Sequence, residues 1–313
     1  AVVEGAPEDL RIHLRGNHIT LGELVPRQFP QVLTTGTQTP VDDTQSGRLQ
    51  LARWLTSGNH PLTARVIANR IWHWHFGEGL VRTPGDFGTR GTPPTHPALL
   101  DFLASWFVQE AGWSIKSLHR LLMTSAAYRQ SSQHRPSAYE TDPANRLLWR
   151  MQRRRLDFES MRDSHLVLAD ILDRRIGGRP LPIFSSNDLQ PRRSIYGFVD
   201  RMNPAPLLRT FDVPNPVASC NQRLETTVAP QALHLMNDVR VHTSAQRVSA
   251  RTTALAGAGR IRQLYRIILG RRPDQDELDS SERFLRFHKP IDTATWTRLA
   301  HALLMCNEAQ FID

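Results

Sequence analysis

The chain has 313 residues, 40% of them hydrophobic and seven of them Trp, and a net charge of +9. This is enough apolar content for a sizeable buried core, and enough length for two domains or one large one at roughly 100–200 residues per domain. No run of about 18 apolar residues occurs, so no helical membrane span is expected.

Residues 8–15 alternate, with Leu10, Ile12 and Leu14 on one side and Arg11, His13 and Arg15 on the other. Such alternation predicts a half-buried strand. The polar, turn-rich stretch 36–47 reads as a linker or surface loop. From 48 to 175 the helical period dominates and predicts four or five helices. Segment 176–229 changes character: it is rich in Pro, carries Gly177 and Gly178, and predicts one strand, at 194–199. Pro230 suits the first residue of a helix running to about Arg251. Three further helices are expected near 260–269, 274–288 and 293–310, with Gly270 and Pro290 as stop signals. The expected fold is therefore mainly α: a helical bundle-like core with a few short strands and a long Pro-rich irregular segment. Its parts are an N-terminal arm (1–47), a helical core (48–175), the irregular segment (176–229) and a C-terminal helical region (230–313), read together as one composite domain.

The helix expected over 62–76 places Val66, Ile67, Ile71 and Trp74 on one stripe, with Arg70 inside it. A core-facing guanidinium needs a carboxylate, and Asp86 and Asp101 are the nearest candidates. The pair serves either to pin the 83–94 turn to the helix or to make Arg70 the floor of an anion site. Asn69 precedes it, and Arg129 extends the face of a second helix expected over 114–128, beside Ser125. His96 stands at a helix start. His73 and His75 are two apart and point about 200° from each other on a helix, so they do not share a metal ion, and no metal site is expected. Asp86-Phe87-Gly88 lacks the surroundings of a kinase metal-binding triplet. Asp86 and His96 are the candidate catalytic groups, and Asn69, Arg70, Asp86, His96, Arg129 and Arg193 the candidate ligand-binding set.

Positive charge is concentrated in Arg: 37 of them against Lys116 and Lys289. The run at 150–155 leads into a helix where Arg155, Glu159 and Arg162 have ion-pair spacing. No aromatic stacking pattern accompanies it, so nucleic acid is not the expected partner. Cys220 and Cys306 match no metal or haem spacing, and a disulfide between them, which needs Cα atoms within about 7 Å, is not the favoured reading. The chain opens at Ala1 without a leader and reads as a piece of a longer precursor.

Several long strings carry a resemblance: RLQLARWLTSGNHPLTARVIANRIWHWHFGEGLVRTPGDFG (48–88), PPTHPALLDFLASWF (93–107), GWSIKSLHRLLMTSAAYRQSS (112–132), DPANRLLWRMQRRRLDFESMRD (142–163), RRSIYGFVDRMNPAPLLRTFDVPNP (192–216) and TTVAPQALHLMND (226–238). In these the chain resembles the planctomycete-specific C-terminal domain, of unknown function, that accompanies cytochrome c-type domains in exported planctomycete proteins. The resemblance implies a periplasmic or secreted setting, other domains of the parent chain as partners, and no catalytic residues to carry over. With no CxxCH, the chain itself holds no haem; haem would belong to an upstream domain. Two functions are expected on this basis: a non-catalytic binding or assembly module, or an enzyme acting on an anionic (sulfated or uronic) polysaccharide.

Overall fold

The computed structural model describes residues 3, 5–34, 36, 38, 41–42, 44–185, 188–288 and 290–312. Among them are thirteen α-helices and two two-stranded sheets, a mainly α chain as its 3.6-residue periodicity predicts. Among the described residues no helix is long and apolar enough to cross a membrane. The chain divides into two compact units, Ala1–Gln152 and Arg153–Asp313. The division falls inside the stretch that the sequence reads as a single helical core.

In the first unit, β1 (Leu10–His13) pairs antiparallel with β2 (Leu21–Val25), Leu10 opposite Val25. The strand exists, but it is exposed along its whole length, with Leu10 at 71%, rather than half-buried. Alternation marks which residues share a face; it does not supply the surface that covers it. Helices α1 (Arg48–Thr56), α2 (Thr63–Phe76), α3 (Pro97–Gln109), α4 (Ile115–Thr124) and α5 (Pro136–Thr141) follow. The core joins Ala68, Ile71, Trp72 and Phe76 of α2 to Leu100, Leu103 and Phe107 of α3 and Leu118 and Leu122 of α4. Trp72 stacks on Phe76 at 4.0 Å. The buried face of α2 is thus not the expected stripe: Trp74 is 62% exposed. A helix with aliphatic or aromatic residues around most of its circumference admits two apolar arcs, and the larger Trp72–Phe76 arc takes the core.

The second unit contains β3 (Arg154–Arg155), α6 (Phe158–Leu168), α7 (Pro206–Thr210), α8 (Ala229–Asn237), α9 (Val239–Ala250), α10 (Gly257–Ile268), α11 (Gln275–Phe287), α12 (Thr293–Met305), α13 (Asn307–Gln310) and β4 (Phe311–Ile312), the last paired with β3. Stretch 48–175 therefore holds six helices rather than four or five. Helix 230–251 is two helices, broken at Asp238, whose extended backbone (ψ 127°) and carboxylate, accepting from the Arg240 N–H, start α9. An Asp followed by an apolar residue is a helix-start signal that the Pro at 230 overshadowed. Side-chain caps also begin α6 (Asp157), α11 (Asp274, with Glu277 bonding back) and α12 (Asp292). The expected strand at 194–199 is a 3-10 turn, Ser194–Tyr196, with Gly197 bridging to Leu181.

One core cluster ties α9, α10, α11 and α12 together through Val248, Ile261, Leu264, Leu285, Leu299 and Leu304. Another gathers Phe158 and Met161 of α6, Ile183, Phe184, Leu208, Phe211, Leu235 and Val241. The irregular segment thus contributes large apolar side chains to a core of its own. Both cysteines are free.

Candidate functional site

The residues singled out in the first unit do not form one site. Asn69 is fully buried and bonds both polar atoms of one residue: Nδ2 donates to the Val81 carbonyl (3.0 Å) and Oδ1 accepts from the Val81 N–H (2.8 Å). Arg70 lies on the opposite arc, half-buried, and meets neither expected carboxylate; its Nε is enclosed without a hydrogen-bond partner. Asp101 is bound by Arg65 (2.7 Å), one turn earlier on a different face. Asp86 folds its own turn, Oδ1 accepting from Gly88 N–H (2.8 Å) and its carbonyl from the Thr83 hydroxyl. The turn is therefore pinned to α2 by Asn69, not by Arg70. His96 precedes α3, 3.0 Å from the Thr95 hydroxyl. The helix that Arg129 was to extend stops at Thr124, with Ser125 Oγ closing it on the Leu122 carbonyl, and Arg129 is exposed. A cavity of about 550 Å³ in this unit is walled by Arg65, Asp101 and the 87–94 loop, and none of the six residues lines it. His75 does find a histidine, but across the helix pair: its Nε2 lies 2.7 Å from His119 Nδ1. Among the described residues no group of three or more His, Cys, Asp or Glu is placed to hold a metal.

An open cleft of about 1150 Å³ lies in the second unit. It is built on α6, which has two stripes. Phe158, Met161, Arg162, His165 and Leu166 turn inward, while Glu159, Ser160, Asp163, Ser164 and Val167 line the cleft. Opposite stand Ile176, Arg193 and Ile195; Ile176 is 93% and Ile195 73% exposed. Two carboxylates of the cleft are held in place. Glu159 pairs with Arg223 (2.9 Å), not with the helix neighbours its spacing suggested. Asp163 accepts from the Ser194 N–H and hydroxyl (both 2.8 Å), which fixes the 3-10 turn against α6, and lies 3.7 Å from Arg193. Arg193 is thus the one expected ligand-binding residue that lines this cleft.

The arginines of the basic runs are largely consumed by the fold. Arg155 donates to the Thr226 carbonyl and the Gln231 side chain and lies over Phe211. Arg192 is buried, bonded to the Arg175 and Gly177 carbonyls, and covers Tyr196 at 4.1 Å. Nearby, Asp173 is pulled down to about 2 by hydrogen bonds from the Arg175 side chain and backbone and by the charges of Arg175 and Arg192. Burial, aided by the charges of His234 and His301, pushes His165 down to about 4. Burial alone would raise Asp238, but hydrogen bonds and charge from Arg240 outweigh it and hold the carboxyl below its usual range. Sequence reasoning missed His165, His234 and Asp238; the i,i+4 spacing of the last two was their one visible signal, and His234 Nδ1 does lie 3.3 Å from Asp238.

A family model described as PSD1, protein of unknown function (DUF1553), matches residues 47–285, from the start of α1 into α11. The chain belongs to this family. No curated protein and no solved structure matches it.

Proposed function

We propose that the chain is a non-catalytic binding or assembly module, and that the second-unit cleft is the surface through which it holds another domain of its parent protein. The observation that carries this reading is the exposure of Ile176 and Ile195 on one large cleft, beside the carboxylates of Glu159 and Asp163, which internal bonds already fix. Contiguous exposed apolar surface rimmed by ordered polar groups is the composition of an interaction site. The quoted sequence strings support a setting in an exported planctomycete protein, periplasmic or secreted, whose c-type haem sits on a different domain. The alternative, an enzyme on an anionic polysaccharide, draws little support from Arg155 and Arg192, which donate to groups of the fold itself.

The test is calorimetric titration of the chain with the separately produced neighbouring domains of its parent protein. Binding is expected, and Ile195→Asp should weaken it at least tenfold without changing the circular dichroism spectrum. A parallel glycan array at two salt concentrations addresses the polymer reading. Steeply salt-dependent binding to sulfated glycans, with none to the neighbouring domains, would overturn the proposal.

A further inference from the structure

Arg162 is the least explained charged group in the second unit. Its side chain is only 8% exposed. One terminal nitrogen donates to the Arg192 carbonyl (2.9 Å) and the Ser194 hydroxyl (3.3 Å), the other to the Gln190 carbonyl. The Nε–H is enclosed and has no hydrogen-bond partner. The carboxylate to which Arg162 donates is shared. Asp163, 3.4 Å away, is spent on the Ser194 N–H and hydroxyl and lies within 3.7 Å of Arg193. Asp238 is gripped by Arg240 through two bonds of 2.8 and 2.6 Å.

Arg162 lines a cavity of about 20 Å³ together with His165, His234 and the mutually paired Asp238 and Arg240, and Phe158, Met161 and Val241 form the apolar wall. That volume suits one small occupant, since a water-sized particle takes ~10–15 Å³ on the same measure. His165 is buried on α6, one turn from Arg162, and its ring makes no hydrogen bond among the described residues. Held neutral by its surroundings, it offers one ring N–H without adding charge. Asp238 and Arg240 offset each other, so Arg162, which shares Asp163 with Arg193, leaves the lining with an excess positive charge. A buried cation with an unspent donor and no unshared carboxylate favours a negatively charged occupant over a neutral one.

We propose that this cavity binds one monovalent anion of chloride size, held by the Arg162 Nε–H and a ring N–H of His165. The anion would tie α6 to α8, which carries His234, and to α9, which carries Val241. Sulfate and phosphate are too large for the volume.

The experiment is thermal unfolding of the intact chain in sodium chloride, bromide, sulfate or gluconate at constant ionic strength. Chloride and bromide should raise the midpoint saturably, by a few degrees once their concentration exceeds Kd about tenfold; sulfate and gluconate should not. Val241→Leu, which fills the cavity while keeping Arg162, should remove the halide response and leave the helical circular dichroism intact. Arg162→Gln should do the same, and if it fails to fold the Val241 variant still decides. Crystals soaked in bromide should show an anomalous peak beside Arg162 Nε. Equal stabilisation by all four salts, an unaltered chloride response in Val241→Leu, or a peak without anomalous signal (a water) would each overturn the proposal.

Discussion

Asn69 and Val81 are joined by a reciprocal pair of hydrogen bonds, the side-chain amide of one matching the backbone N–H and C=O of the other. The pair sits at the floor of the first unit, where Asn69 is fully buried and Gly79 passes so close that an added Cβ would stand 2.7 Å from the amide nitrogen. Asn69→Leu would strand a buried donor and a buried acceptor, and should cost about 2–4 kcal/mol, measured by urea unfolding. Asn69→Asp should be about as damaging, because it sets a carboxylate oxygen against the Val81 carbonyl.

Arg70 and Arg192 should behave oppositely. Arg70→Ala removes no ion pair and should cost less than about 1 kcal/mol. Arg192→Ala removes two bonds from a buried guanidinium to main-chain carbonyls and the cover over Tyr196, and should cost about 1–3 kcal/mol. Equal midpoints for the two variants in denaturant would contradict the placement of Arg192.

Gly197 touches the core without needing an unusual backbone, with φ at −71°. A Cβ there would lie 2.2 Å from Phe184 Cε2 and 2.8 Å from Ile183 Cδ1, both part of a packed cluster. Gly197→Ala should therefore destabilise by about 1–3 kcal/mol. Gly259, inside α10 with nothing within 4 Å of its added Cβ, is the control: Gly259→Ala should stabilise by about 0.5–1 kcal/mol.

Stability should depend on pH through the buried histidines. His165 titrates near 6.5 when unfolded and is pushed down to about 4 in the fold. Between those values the unfolded chain takes up a proton that the folded chain refuses. Its contribution is therefore fully present above about pH 6.5 and declines as pH falls toward 4, by about 3 kcal/mol in all. His60, His234 and His301, also lowered mainly by burial, act in the same direction. Urea unfolding measured from pH 7.5 to 4 should show this slope, and it should flatten in His165→Phe.

The helical class, most helix positions from 48 onward and the Pro-rich break after 175 were legible in the residues, because helix periodicity, Pro and Gly act over a few neighbours. Arg70 shows where that reach ends. Its stripe with Val66 and Trp74 is a true helical stripe, yet α3 and α4 pack on the arc of Ala68, Trp72 and Phe76. Likewise Leu10, Ile12 and Leu14 alternate as a buried strand does and remain exposed. The chain by itself determined its elements and its membership in a family of unknown function. Tertiary structure alone decided that Asn69 rather than Arg70 holds the turn, and that Arg192 is buried while Arg193 edges the cleft. It likewise brought Arg162, His165 and His234 around one cavity. Burial and pairing across distant segments depend on which surfaces meet, and no local pattern records that.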